Sequence, residues 1–136
     1  MKKILLALLV LAAFAPGCKK KSSAKKIDRL IMNETWRLEK FIDSNVNYTL
    51  DYTNYTFNFT KEKQLTIVMP DSTFAGSWDR QEAKNPAVLI LNTPDNSPTV
   101  RLGDDWNVVF LTKDEFHLER LNDKKNANDV CIFRIK

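Results

Sequence analysis

Tyr55-Thr56-Phe57-Asn58-Phe59-Thr60 puts three aromatic side chains on one side of the chain and three polar ones on the other. Strict alternation over six residues is the period of a half-buried β-strand, not of a helix. Lys61-Glu62-Lys63 interrupts it with charge, and Gln64 to Met69 resumes it with Leu65, Ile67 and Met69 in phase. Two alternating runs across a short polar break read as a hairpin. How far that pattern extends decides the fold.

Upstream, Trp36-Arg37-Leu38-Glu39-Lys40-Phe41-Ile42 alternates until Lys40-Phe41, where the slip predicts a bulge or bend. Asp43-Ser44-Asn45 is a turn cluster. Tyr48 to Tyr52 reads as a short strand or an irregular loop. Ile27, Leu30 and Ile31 fall at i, i+3 and i+4, which predicts one or two helical turns over Ile27–Met32, started at Ser22 or Ser23. A helix that short needs something larger to lie against.

Downstream, Thr73 to Asp79 places Phe74, Gly76 and Trp78 on one face, and Gly76 predicts a close approach of another backbone. Ala87 to Leu91 is apolar throughout, as in a strand covered on both sides. Val100 and Leu102 suggest a short strand, with Gly103-Asp104-Asp105 as a turn. Trp106 to Leu111 and Phe116 to Leu121 flank Thr112-Lys113-Asp114-Glu115 as a second hairpin, and Val130 to Ile135 is the last strand. Eight or nine short strands spaced by turns predict an all-β domain, an antiparallel barrel or sandwich. Sequential hairpins favour an antiparallel up-and-down barrel of about eight strands, because closure removes the sheet's edges.

The first residues have a different character. Lys2 and Lys3 precede an apolar run from Ile4 to Ala15, too short to span a bilayer but of signal-peptide length. Gly17 and Cys18 close it, and Lys19-Lys20-Lys21-Ser22-Ser23-Ala24-Lys25-Lys26 follows as a polar, basic tether, which reads either as adhesion to anionic headgroups or as a solvated spacer. Three segments result: 1–17 as signal peptide, 18–26 as tether, 27–136 as the β domain. The net charge of +4 belongs to the leading segments. From Ile27 onward 14 Lys and Arg stand against 17 Asp and Glu. An acidic body offers no electrostatic footprint for nucleic acid.

Gly17-Cys18 after that apolar run resembles the lipobox of bacterial lipoproteins. The resemblance implies cleavage before Cys18, a lipid on its sulfur, and the membrane as a partner. Three further features, Trp36-Arg37-Leu38, Gly76-Ser77-Trp78 with Val88 to Leu91, and Trp106 to Leu111 with Phe116-His117-Leu118, resemble the small lipocalin-like lipoproteins of Bacteroidetes-type bacteria. That resemblance covers roughly Leu30 to Lys136 and implies a barrel and an apolar ligand. In that group surface export goes with acidic residues after the cysteine. The lysines here therefore imply an outer-membrane protein facing the periplasm.

The aromatic residues Trp36, Phe57, Phe59, Trp78 and Trp106, with Phe74 and Phe110 beside them, are the candidates to line a site for a small hydrophobic ligand. Packed against one another, the same side chains would simply fill an eight-stranded barrel. His117, the only histidine, is out of phase with Phe116 and Leu118 and is expected to face solvent. Cys131 sits in an apolar strand and is expected to be a buried small hydrophobe. Asp104-Asp105 lacks the spacing of a calcium loop. No Gly-rich phosphate loop, Gly-x-Ser-x-Gly or Cys–His pair occurs, so the expectation is no enzyme and no cofactor. Two classes remain: a carrier of an apolar ligand, and an envelope interaction or structural module with a filled core.

Overall fold

A computed structural model describes residues 24–81, 85–122 and 127–136. Helix α1 (Ala24–Ile31) precedes β1 (Thr35–Asp43) and the two-residue β2 (Val46–Asn47). After a 3₁₀ turn (Thr49–Tyr52) come β3 (Thr56–Phe59), β4 (Gln64–Val68), β5 (Thr73–Gln81) and β6 (Val88–Asn92). A second 3₁₀ turn (Val100–Leu102) leads to β7 (Asp104–Leu111), β8 (Glu115–Asn122) and β9 (Ala127–Ile135). From β3 onward each strand pairs antiparallel with the next, and β1 lies between β3 and β9. The sheet is thus a closed antiparallel barrel of eight strands, as the alternation predicts. β2 folds back on the end of β1 through Ser44 and Asn45, both at positive φ, which is what a tight two-residue hairpin loop demands.

Bulges account for the two places where alternation slips. One falls between Leu38 and Lys40, so that Leu38 and Phe41 both point inward. The other falls between Val108 and Phe110 and turns both Val109 and Phe110 outward. Phe110 is 45% exposed, so it does not belong with the interior aromatics. Phe74 is only partly buried. Gly76 meets β6 as expected: a methyl group there would collide with the carbonyl oxygen of Asn92.

Other expectations are corrected. Val100–Leu102 is a 3₁₀ turn because the chain from Pro94 to Gly103 satisfies itself locally. The amides of Ser97, Val100, Leu102 and Gly103 each donate to the carbonyl three residues back. Asp104 and Asp105 open β7 instead of forming a turn. Tyr48 to Tyr52 supplies the first 3₁₀ turn. Helix α1 agrees with the expected start at Ser22 or Ser23, since its first residue is Ala24, whose side chain is buried. Residues 1–17 and Cys18 to Ser23 lie outside the described residues.

The barrel has two dissimilar ends. At one, α1 lies across the opening with Ile27 and Ile31 buried in the core. Asp28 receives Lys63 at 3.1 Å and Arg80 at 2.7 Å, and the Trp36 indole donates to the carbonyl of Ile31 at 2.8 Å. The turns after β3, β5 and β7 share this end, as the strand directions require. The opposite end carries β2, both 3₁₀ turns, the β4–β5 turn and the β8–β9 connection. Among the described residues no helix is long and apolar enough to cross a membrane.

Candidate functional site

All five candidate ligand-contacting residues face the barrel interior, and each is at most 2% exposed. Alternation puts Trp36 there from β1, Phe57 and Phe59 from β3, Trp78 from β5 and Trp106 from β7. Trp36 meets Phe116 edge-on with ring centroids 4.7 Å apart. Phe59 contacts Trp78, Phe116 and Phe133, and Phe57 meets Phe133 at 5.2 Å. Trp106 stands apart from that group, near the opposite end, beside Phe41. The structure therefore joins four of the five through Phe116 and Phe133 and separates the fifth.

The polar atom of each tryptophan is already engaged. Trp36 Nε1 donates to Ile31 at the end of α1, Trp78 Nε1 to Thr60 in the β3–β4 turn, and Trp106 Nε1 to Leu102 in the second 3₁₀ turn. Each indole thus ties a connecting segment to the barrel. Buried indoles normally find such a partner.

Beyond Trp106 the interior changes from aromatic to ionic. Arg120 follows Phe116 and Leu118 in phase, Asp129 precedes Cys131 and Phe133, and Asp43 lies two residues after Phe41. All three therefore point inward at the end away from α1. Arg120 lies over the Trp106 ring, 4.4 Å from its centroid. It donates to Asp129 through Nε at 2.8 Å, to Asp104 through Nη1 at 2.9 Å and to Asp43 through Nη2 at 3.3 Å. Asp129 also accepts the Ser44 amide at 2.6 Å, and Asp43 accepts the Ser44 hydroxyl and Arg101. Arg101 in turn lies over Tyr48. Burial alone would lower the Arg120 pKa, but its bond to Asp129 and the charges of Asp104, Asp129 and Asp43 outweigh burial and raise it.

Tyr52 completes this closure. Its hydroxyl donates to the carbonyl of Pro98 at 3.0 Å and so joins the two 3₁₀-bearing connections. Burial, the largest influence, pushes its pKa up to about 12. All four carboxylate oxygens of Asp43 and Asp129 have hydrogen-bond donors. The network acts as a plug.

Sequence reasoning missed this plug, although the phase of Arg120 and Asp129 with buried apolar neighbours was its signal. His117 lies on the outer face, half-buried, paired with Glu115 and tilted against Phe110. Cys131 is fully buried, and burial pushes its thiol pKa well up. No group of three or more His, Cys, Asp or Glu side chains suited to a metal occurs among the described residues. No protein-family model, curated protein or solved structure matches the chain.

Proposed function

We propose that this protein is a bacterial envelope lipoprotein, held at the membrane through an acylated Cys18. On this reading its lipocalin-like barrel is a non-enzymatic interaction or structural module built round a filled core. One observation carries the choice of a filled core. The three indoles use their N–H groups on the chain's own carbonyls while their rings pack against other aromatics. A ligand would have to displace those contacts, each large side chain being worth roughly 1.5–3 kcal/mol of burial. The anchor is supported by the run from Ile4 to Cys18. Several acyl chains would hold such a protein stably, where one would not.

A carrier of one small hydrophobic molecule is the second reading. The convergence of Trp36, Phe57, Phe59 and Trp78 from three strands inside one barrel favours it. Native mass spectrometry of the protein purified without detergent separates the two. The filled-core module shows the protein mass alone, whereas a co-purified lipid in stoichiometric amount would replace it with the carrier. Labelling with a fatty-acid analogue tests the anchor. Label and membrane fractionation that persist in Cys18→Ala would defeat it.

A further inference from the structure

The barrel is electrically lopsided along its axis. At the α1 end the exposed charged side chains are Lys25, Arg29, Lys61, Lys113 and Lys136, with Glu34, Glu62, Asp79 and Asp114 among them, and half-buried Lys63 and Arg80 add two cations against Asp28. Lys61 and Lys113 sit at the tips of the β3–β4 and β7–β8 turns and make no ion pair among the described residues. At the opposite end the exposed charges are Asp51, Asp71, Asp95, Asp104 and Asp105, with Arg101 as the exposed cation. Among the described residues one end is thus net positive and the other net negative, although the domain as a whole is acidic.

We infer that the α1 end is a docking face for an anionic phospholipid surface, and that the acidic end is held away from it. The inference rests on the Cys18 anchor for its setting but on the barrel's charges for its content. From Cys18 to Ala24 the chain reaches at most about 20 Å, so the α1 end is the one an anchor brings to the headgroups. Basic residues within a Debye length of an anionic leaflet are attracted to it, and acidic ones are repelled. Both ends therefore favour the same upright orientation. The plug of Asp43, Arg120 and Asp129 then faces away from the lipid, where protein partners are met.

The test uses the full chain, purified in its exported form and reconstituted into vesicles of phosphatidylcholine, with or without phosphatidylglycerol. A fluorophore is placed at Glu62→Cys on the α1 end or at Ser72→Cys on the acidic end; buried Cys131 is not labelled under native conditions. Energy transfer to a headgroup acceptor should be stronger from position 62 than from 72. The difference should widen with phosphatidylglycerol and shrink with added salt. Reversing Lys61→Glu and Lys113→Glu together should shrink the difference between positions 62 and 72 on phosphatidylglycerol vesicles and, in the unacylated chain, lower co-sedimentation with them by roughly tenfold or more, without unfolding the barrel. Equal transfer from both positions, or transfer indifferent to anionic lipid and salt, overturns the docking face. The intact mass reports the anchor separately. If it lacks acyl groups the anchor fails, and docking is then read by co-sedimentation of the same chain. Salt-sensitive sedimentation dependent on Lys61 and Lys113 upholds the docking face, and its absence overturns it.

Discussion

Two regions of the interior obey the same inward phase of alternation and fill it with opposite chemistry. Toward α1 the inward positions hold Trp36, Phe59, Trp78, Phe116 and Phe133, stacked or edge-on with one another. Toward the other end they hold Asp43, Arg120 and Asp129, joined in one ionic network. The aromatic region is stabilised by area removed from water and by packing. The ionic region is held because each charge supplies what its neighbour's burial would otherwise leave unmet. Loss of one member should therefore leave a cavity in the first region and an orphaned charge in the second.

The largest effect should come from Trp36→Ala, which empties the aromatic region and frees the carbonyl of Ile31. A loss of about 3–5 kcal/mol is expected in urea denaturation. Next comes Arg120→Met, which strands Asp129, whose side chain is 1% exposed. About 3 kcal/mol should be lost, and adding Asp129→Leu should restore most of it. Failure of the double variant to recover would mean that the plug is held by packing instead of charge, and the contrast between the regions would collapse.

Tyr52→Phe probes the seam of the plug more gently. Removing its bond to Pro98 should cost about 1 kcal/mol at neutral pH. The Tyr52 hydroxyl titrates higher folded than unfolded, so its contribution is complete below the unfolded value of 10.0 and is lost as pH rises toward about 12. Thermal midpoints should therefore fall less steeply across that window in Tyr52→Phe than in the parent.

The smallest effect belongs to the outer face. Glu115 is held below its ordinary value of 4.5 by its bond with His117 first and by that with Arg134 second. A lowered carboxyl supports the fold above its unfolded pKa and withdraws that support as pH falls through its folded one. Glu115→Gln should flatten the melting profile only on the acid side of pH 4.5. At neutral pH the variant should show a small constant loss, because the ionised carboxyl's support is complete there, and its gap to the parent should close as pH falls below 4.5.

The barrel was legible because nearly every strand carries a period of two, from Trp36 to Ile135. It was legible even where the period slipped, since Lys40-Phe41 marks a real bulge. Phe110 was misjudged because Val108-Val109-Phe110 is apolar throughout and cannot reveal which residue is extra. Val100 and Leu102 imitate a strand by spacing, while backbone amides from Ser97 to Gly103 bond to carbonyls three residues back and make the segment a 3₁₀ turn. The plug stayed hidden for a different reason. A lone arginine in an alternating strand says which way it points, while its partners come from strands distant in sequence.

The pairing of β1 with β9, Trp36 beside Ile135, has a kinetic consequence. Hairpins from β3 to β8 join neighbours in the chain and can form as soon as each pair is available. Closure must wait for the final strand, because its partner is the first. Such non-local pairing is slow to find. Until it is found, both β1 and β9 present bare edges that invite association with other chains. The same adjacency suits the chain to circular permutation: linking β9 to the start of α1 and cutting at Asp71-Ser72, in an exposed turn, would make the slowest pairing local in sequence while α1 keeps its place.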